Sequence, residues 1–280
     1  MKMRNFRRLL ALFLACLVLT SFLCSCGLLS SPVSPFRRTD KIPILTWHRV
    51  VEHSVKEEFY KDNIWVNDLD CFRQNMKYLS DNGYRTLTLD EFYDWYCGKT
   101  EYYGEKVVVL TFDDGDIENY TNVLPVLREY GFSATVFLIG NKVKDRVDWD
   151  GTSKCYLTRE LIDRMQEEYP AFAVESHTYS MHWKNRSHNA AVTFSAKQAL
   201  QSDLDAMKAY DCHYLAYPYG IRSEQMEELL PENGYRLAFG FGQKDLPYRA
   251  ATRKDNPYYL PRIKVCSKNE SPDAFAALLK

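Results

Sequence analysis

A run of apolar residues that ends in two aspartates constrains this 280-residue chain more than any other feature. Residues 107–110 are Val-Val-Val-Leu, and such a run predicts a strand buried on both faces, as in a parallel sheet. Asp113, Asp114 and Gly115 follow at the point where the chain must turn. Because uncompensated buried charge is costly, the two carboxylates require a metal ion, a shared proton or an arginine. A solvated Asp-Asp turn before a glycine is the simpler alternative.

A pair of histidines follows a second apolar run. Residues 171–174 are Ala-Phe-Ala-Val, which predicts another buried strand, and His177 and His182 come soon after it. Five residues apart on a helix, the two rings would point about 140° away from each other. They converge only if the segment is a curled loop after the strand. Two neutral imidazoles and a carboxylate would then form a site for a divalent metal with open coordination positions, whereas a lone histidine in such a loop is more often structural.

These motifs resemble those of the polysaccharide deacetylases, the family 4 carbohydrate esterases with a NodB homology domain. Thr111–Gly115 reads TFDDG, like the first motif of that family, and His177–His182 reads HTYSMH, like the second. The five-residue step between the histidines resembles the branch that deacetylates poly-N-acetylglucosamine (intercellular adhesin). The resemblance extends from residue 41 to the end of the chain through four further segments: Ile42–Arg49, Phe72–Gly83, Leu215–Gly220 and Leu260–Ile263.

Strand and helix signals alternate along residues 41–280. This alternation predicts an α/β fold, and the resemblance implies a distorted (β/α) barrel of seven to eight parallel strands. In such a barrel, five candidate site residues follow the carboxyl ends of strands, where barrel enzymes build their sites. These residues are His48, Asp113, Asp114, His177 and Tyr219. The predicted strands are 42–47, 84–87, 107–112, 134–139, 171–176, 214–218, 236–241 and 260–265. The helix signals are apolar spacing at Phe72, Met76 and Leu79 and at Leu200, Leu204 and Met207, capping boxes at Thr88/Glu91 and Ser195/Gln198, and Ser271-Pro272.

The resemblance implies a metal-assisted hydrolysis of an acetamide. Asp114, His177 and His182 would hold a divalent metal, with Zn²⁺ the expected ion. Asp113 would act as the general base that takes a proton from water. In the third motif, the backbone N–H of Tyr219, next to Pro218, would help to bind the oxyanion.

The sequence departs from the wider family at two positions. Many members have an arginine at the start of the third motif, where this chain has Ala216. Arg262 could orient the base instead, or it could serve as a structural ion-pair partner. Many members also have a histidine general acid in a later motif, and no histidine follows His213 in this chain. His48 is a candidate for that acid, or for a packed histidine that shapes the substrate pocket.

The first 40 residues read as a targeting sequence rather than as part of the fold. A basic start, an apolar run from Leu9 to Leu23 and the sequence Leu-Cys-Ser-Cys-Gly at 23–27 predict a lipoprotein signal peptide over 1–26, lipidated at Cys26. An ordinary secretory signal cut near the same place is the alternative. Residues 27–40 predict a flexible tether, and residues 41–280 the catalytic domain. We therefore expect an extracytoplasmic enzyme that is lipid-anchored to the bacterial cell membrane.

Charge and cysteine content argue against other classes of protein. The net charge is −1, and about −5 without the four basic residues of the signal (32 basic and 37 acidic residues remain), so no basic stripe indicates a nucleic-acid partner. Five cysteines lie beyond the tether without a Cys-x-x-Cys pair, which argues against a zinc ribbon or a dense disulfide framework. The expected partners are an N-acetylated polysaccharide substrate and the membrane, and we expect a monomer.

These observations together predict an N-deacetylase that acts on N-acetylglucosamine-containing cell-surface polysaccharide and releases acetate. One alternative is a non-catalytic glycan-binding lipoprotein that retains the metal site. The absence of a histidine general acid after His213 argues for this alternative, and the presence of the candidate base Asp113 argues against it. The other alternative is a hydrolase of another amide, such as a peptidoglycan deacetylase.

Overall fold

The described part of the chain contains strands along its whole length, and most of them belong to one main sheet. The computed structural model describes residues 37–280, so the predicted signal peptide, Cys26 and residues 27–36 of the tether lie outside the described residues. The strands are β1 (Lys41–Ile42), β2 (Ile44–Trp47), β3 (Arg49–Val51), β4 (Val66–Asp68), β5 (Tyr84–Leu87), β6 (Lys106–Phe112), β7 (Ala134–Leu138), β8 (Phe172–Ser176), β9 (Tyr214–Ala216), β10 (Leu237–Gly240), β11 (Ala251–Thr252), β12 (Leu260–Pro261) and β13 (Ile263–Lys264).

A nine-stranded sheet among these residues nearly closes into a barrel. Eight strands follow the order β12-β10-β9-β8-β7-β6-β2-β13, and β5 pairs with β6 off this path. Every pairing within this sheet is parallel. The two end strands, β12 and β13, flank Arg262, so both ends of the sheet belong to the single segment 260–264. The predicted α/β barrel of seven to eight parallel strands is therefore confirmed.

Alternate residues of β6 enter two different hydrophobic clusters. Val108, Leu110 and Phe112 pack in the cluster shared with the covering helices. Val107 and Val109 pack in a second cluster, which also contains residues of β2, β5, β7, β9, β10 and β12 and so lies on the inner side of the barrel. The prediction that this strand is buried on both faces is confirmed, and the alternation gives the strand an inner and an outer set of side chains.

Two of the predicted strands are each interrupted at one residue. Within 42–47, Pro43 separates β1 from β2, and β1 pairs antiparallel with β11 instead of joining the barrel. Within 260–265, Arg262 separates β12 from β13. The other predicted strands occur within two residues of the expected bounds. The parallel pair β3–β4 was not predicted, because its three-residue strands are too short for a periodic signal.

The helices confirm most of the predicted start and stop signals. Thr88 and Glu91 form a capping box in which each side chain accepts from the other's backbone N–H. The capping box predicted at Ser195 is wrong, because the Ser195 N–H bonds to Ala191 at the end of the preceding helix and the next helix is capped by Ala196. The helices are α1 (His53–Phe59), α2 (Leu69–Asp81), α3 (Leu89–Tyr96), α4 (Leu124–Tyr130), α5 (Arg159–Glu168), α6 (Ala191–Phe194), α7 (Lys197–Met207), α8 (Glu224–Leu229) and α9 (Pro272–Leu278), with a π-helical turn at Asn119–Val123.

Residues 37–280 contain neither a disulfide nor a membrane-crossing helix. All five cysteines in this range are free thiols, and burial raises the pKa of the Cys212 thiol well above its ordinary value. No helix in the same range has the length and apolar character needed to cross a bilayer. The fold of this part of the chain therefore depends on its hydrophobic clusters and hydrogen bonds rather than on covalent cross-links.

Candidate active site

A cavity of about 560 Å³ opens at the carboxyl ends of the barrel strands. Asp113 and Asp114 follow β6, His177 follows β8 and Tyr219 follows β9, so parallel strands deliver all four residues to the same end of the barrel. His48 follows β2 and lines the same cavity. The wall also includes Trp65, Lys154, His182, Lys184, Phe241, Tyr248 and Lys264.

Asp113 forms a two-pronged ion pair with Arg262 inside the barrel. Arg262 Nη1 donates to Asp113 Oδ1 at 2.7 Å and Nη2 donates to Oδ2 at 2.8 Å, with both side chains fully buried. Strand alternation places Asp113 on the inner face together with Thr111, whose hydroxyl lies 3.3 Å from the same Nη1. Burial alone would raise the pKa of Asp113, but the guanidinium beside it lowers that pKa, so the carboxylate is ionised at neutral pH. An arginine thus faces the candidate base although the third motif has Ala216.

Asp114, His177 and His182 converge on one point of the cavity. Asp114 Oδ1 lies 3.6 Å from Nε2 of His177 and 3.3 Å from Nε2 of His182. Strand alternation alone would direct Asp114 away from the barrel interior, but its left-handed backbone (φ 73°) redirects the carboxylate. Gly115 follows with φ 77°, and a Cβ there would lie 2.5 Å from Leu138 Cδ2, so this turn requires glycine.

The segment between the two histidines is a curled loop, as their five-residue spacing predicted. Asp203 of α7 accepts hydrogen bonds from the backbone N–H groups of Tyr179 at 2.8 Å and Ser180 at 2.7 Å. Thr178 has a left-handed backbone (φ 68°), and its hydroxyl accepts from the Met181 N–H at 3.2 Å. This network explains how residues 177 and 182 face each other without a helix.

Both candidate ligand histidines present a neutral Nε2 to the cavity. His177 Nδ1 donates to the Ala216 carbonyl at 2.8 Å, so its lone pair resides on Nε2. Burial lowers the pKa of His177. Burial and the neighbouring His177 lower the pKa of His182 to about 4. Both rings are therefore neutral at pH 7 and able to coordinate a cation.

These three side chains fit a divalent metal. Asp114 Oδ1 is buried and has no hydrogen-bond partner within residues 37–280, as expected of a carboxylate oxygen placed to accept a cation. Two imidazole nitrogens and one carboxylate oxygen are a donor set that Zn²⁺ takes in catalytic sites, where one position stays open for water or substrate. A second cluster, of His53, Asp68 and Asp70, lies outside the cavity, and Asp68 is already engaged there in capping α2 and in pairing with His53.

The Pro218–Tyr219 segment holds an unusual backbone conformation at the cavity mouth. Tyr219 is left-handed (φ 59°), a conformation that costs a residue with a side chain about 1–3 kcal/mol. A Cβ on Gly220 would lie 2.4 Å from the Phe241 carbonyl oxygen, so only glycine fits next to it. The Tyr219 ring packs against His182 with centroids 4.5 Å apart. Strained non-glycine residues thus occur after β6, β8 and β9, all at this end of the barrel.

Sequence reasoning missed several charged residues of the cavity, and two of them, Lys154 and Asp116, lie next to the candidate metal ligands. Lys154 Nζ lies 2.7 Å from Asp114 Oδ2 and 3.6 Å from Asp116 Oδ1. Asp116 is fully buried, neither of its oxygens has a hydrogen-bond partner in the described part of the chain, and burial raises its pKa to about 8. Asp116 had a sequence signal, since it follows Asp-Asp-Gly directly. Lys154 lies in a long loop without a motif and had none.

His48 is packed into the cavity wall. Its ring centroid lies 4.6 Å from that of Trp65 and 6.1 Å from that of Phe241. Burial lowers the pKa of His48, so the ring is neutral at pH 7, and its Nδ1 has no hydrogen-bond partner among the residues that the structure describes. The remaining histidines of residues 37–280 lie outside the cavity: His53, His188 and His213.

Comparison with known proteins places the chain in a family. The polysaccharide deacetylase family model matches residues 100–238. The chain is 30% identical over 247 residues to YxkH of Bacillus subtilis (strain 168), which is named as a polysaccharide deacetylase, and the match covers 86% of this chain and 76% of the relative. The chain belongs to the polysaccharide deacetylase family. This deacetylase is therefore a hydrolase of amide bonds, as its motifs predicted.

Further relatives of the deacetylase agree with this assignment. It is 28% identical over 218 residues to the poly-β-1,6-N-acetyl-D-glucosamine N-deacetylase of Staphylococcus aureus (strain MRSA252), covering 75% of the deacetylase and 69% of the relative. Among solved structures, the Streptococcus pyogenes deacetylase PplD has a TM-score of 0.70 at 22% identity, covering 86% and 100% of the two chains. IcaB from Ammonifex degensii has a TM-score of 0.68 at 24% identity, covering 87% and 99%. These two structures establish the shared fold.

Proposed function

We propose that this deacetylase is a metal-dependent N-deacetylase that removes acetyl groups from N-acetylglucosamine units of a cell-surface polysaccharide. The observation that carries the proposal is the presence of the ionised Asp113–Arg262 pair beside the Asp114–His177–His182 cluster in one cavity. The choice of sugar is supported by the Staphylococcus aureus relative, which is named as an N-deacetylase of poly-β-1,6-N-acetyl-D-glucosamine.

Asp113 is the side chain best placed to take a proton from the attacking water. It lines the cavity, and Arg262 holds both of its oxygens, which fixes the orientation of the carboxylate and keeps it ionised. Asp114 is adjacent in sequence, but Lys154 binds its Oδ2 and the two histidines face its Oδ1. The roles of base and ligand are therefore divided between the two aspartates.

Asp114, His177 and His182 would hold the metal through Oδ1 and the two Nε2 atoms. A bound zinc ion would supply Lewis acidity that polarises the acetamide carbonyl and acidifies water. The residues around these ligands contribute orientation, since the Ala216 carbonyl sets the tautomer of His177 and Lys154 holds the remaining oxygen of Asp114.

Tyr219 and Asp113 would complete the reaction on the substrate side. As water adds to the acetamide carbon, negative charge develops on the carbonyl oxygen, and the Tyr219 backbone N–H would donate to it. Cleavage of the C–N bond then releases acetate, and the sugar nitrogen takes up a proton. Asp113 carries the proton taken from water and faces the same cavity, so it can return that proton. The neutral state of His48 favours a role in shaping the wall over proton donation.

Acetate release is the direct test of this proposal. We expect the purified, zinc-loaded protein to release acetate and free sugar amine in equal amounts from N-acetylglucosamine oligomers. The panel is oligomers of poly-β-1,6-N-acetylglucosamine, chitin oligomers and peptidoglycan, with chelator-treated protein as the control. Release from peptidoglycan alone would favour a peptidoglycan deacetylase. Fully metal-loaded protein that binds glycan but releases no acetate from any of the three would be a glycan-binding protein instead.

We also propose that the enzyme is extracytoplasmic and anchored by a lipid on Cys26. The Leu-Cys-Ser-Cys-Gly sequence after an apolar run supports this proposal. Cys26→Ala is expected to move the protein from the membrane pellet to the soluble or the unprocessed fraction, measured by fractionation and immunoblotting. Cys24→Ala, two residues earlier in the same motif, is the matched control and should stay in the pellet. A Cys26→Ala protein that is processed and pelleted like wild type would contradict the anchor.

A further inference from the structure

One wall of the cavity is built from aromatic rings, two of which are open to solvent. This aromatic wall consists of Trp65, Phe241 and Tyr248. The residues Trp65 and Tyr248 are 38% and 46% exposed, although large apolar residues are usually more buried. Phe241 joins them, with ring centroids 6.2 Å from each. Exposed aromatic faces inside a concave site indicate a surface for the apolar face of a ligand ring.

The aromatic wall is fixed in place and begins close to the candidate base. The backbone N–H of Trp65 donates to Asn63 Oδ1 at 3.0 Å, and the backbone carbonyl of Trp65 accepts from the backbone N–H of Arg49 at 3.3 Å. The guanidinium of Arg262, which binds Asp113, lies 5.2 Å from the Phe241 ring centroid. A sugar stacked on the aromatic wall would therefore adjoin the unit whose acetamide faces Asp113.

Two lysines of this cavity have no carboxylate partner among residues 37–280. Each carboxylate of the cavity has a cationic partner: Asp113 has Arg262, and Asp114 and Asp116 share Lys154. Lys184 and Lys264 also line the cavity, and neither forms an ion pair with a carboxylate of residues 37–280. Lys264 Nζ lies 4.5 Å from the Trp65 ring centroid and 5.6 Å from that of Tyr248. Lys184 Nζ lies 4.3 Å from the Tyr219 ring centroid.

We propose that the aromatic wall and Lys264 form a subsite for a sugar that carries a carboxylate or a phosphate, next to the N-acetylglucosamine unit that is deacetylated. Trp65 and Tyr248 would pack against the sugar ring, and the Lys264 ammonium would pair with its anionic group. A neutral neighbour would use the rings and leave Lys264 without a counter-charge. The inference rests on the proposed function, because it defines the neighbour of the reacting unit.

Substrate charge is the variable that tests this subsite. The probes are a neutral N-acetylglucosamine oligomer, an oligomer in which N-acetylglucosamine alternates with glucuronate, and a phosphate-substituted N-acetylglucosamine oligomer, each assayed by acetate release. We expect kcat/KM to be about fivefold higher for an anionic probe than for the neutral one, as an exposed ion pair allows, and the preference to shrink as salt increases. The better of the two anionic probes identifies the anionic group.

Lys264→Gln should reduce this preference to near one by raising KM for the anionic probes more than for the neutral probe. Lys268 is an exposed lysine outside the cavity, so Lys268→Gln is the matched control and should keep the preference for anionic probes. Trp65→Leu should raise KM for all probes alike, and Trp65→Phe should restore most of the loss. Calorimetric binding of the same probes gives a readout independent of catalysis.

A wild-type enzyme without preference for either anionic probe, or a Lys264→Gln variant that keeps the full preference, would overturn the subsite. Either result is compatible with deacetylation of the neutral probe, so the proposed function would stand. Absence of acetate from every probe would instead reject the function on which the subsite rests.

Discussion

Asp113→Asn is expected to reduce the rate of acetate release by about 10²–10⁴-fold while the amount of bound metal stays the same. The substitution removes the proton acceptor but keeps the shape of the side chain, and its amide oxygen can still accept from Arg262. The three candidate ligands, Asp114, His177 and His182, are unchanged. The measurements are initial rates of acetate release and metal per chain after dialysis, with circular dichroism to check the fold.

Asp114→Asn is the matched comparison on the adjacent residue. Because Asp114 Oδ1 faces both histidines, this variant should lose metal and activity together. His188→Ala removes an exposed histidine outside the cavity and should retain both. Loss of metal from Asp113→Asn would mean that the two aspartates share or exchange their roles.

Arg262→Met is expected to lower the free energy of unfolding by about 3–5 kcal/mol, because it leaves the Asp113 carboxylate buried without a partner. Methionine has a similar length and fills much of the space, so the loss is mainly electrostatic. Urea denaturation at neutral pH measures the effect. Arg249→Met, which breaks an ion pair with Asp255 at the surface, is the matched control and should cost at most about 1 kcal/mol.

The loss in Arg262→Met should depend on pH and on the charge of Asp113. The folded-state pKa of Asp113 lies below its ordinary value of 3.8, so the pair stabilises the wild type above that pH and the contribution is lost as the pH falls through the folded-state pKa. The difference between wild type and Arg262→Met should therefore shrink in acid. The double variant Asp113→Asn/Arg262→Met should be more stable than Arg262→Met alone, because it no longer buries an unpaired carboxylate. A loss equal to that of Arg249→Met would show that Asp113 does not depend on Arg262.

The barrel strands and the curled histidine loop were predictable because their signals are local. An apolar run such as 107–110 determines a buried strand through its own composition, and the structure buries both of its faces. The spacing of His177 and His182 is incompatible with convergence of the two rings on a helix, so a shared site required a curled loop. The capping box at Ser195 failed because two helices meet there, and the first one uses the residue that the second could have used.

The partners of the site residues were less predictable, because they come from distant parts of the chain. The sequence left the role of Arg262 open between orienting the base and forming a structural ion pair, and its bond to Asp113 spans 149 residues of sequence. Lys154, which binds Asp114 across 40 residues, had no signal at all. The aromatic wall joins Trp65, which directly precedes β4, to Phe241 and Tyr248 after β10, and composition alone could not distinguish Trp65 from an ordinary core aromatic.

The sequence by itself determined the buried strands, through local apolar patterns, and the α/β class, through the alternation of strands and helices. Its motifs identified the family, and the order of strands and motif residues predicted at which end of the barrel the candidate site lies. Only the tertiary structure decided how the charges are compensated. The left-handed backbone at Asp114 turns one carboxylate toward the histidines, while its neighbour continues the strand alternation and meets Arg262. That division depends on one backbone angle and on contacts between segments brought together by barrel closure, and neither is written in local composition.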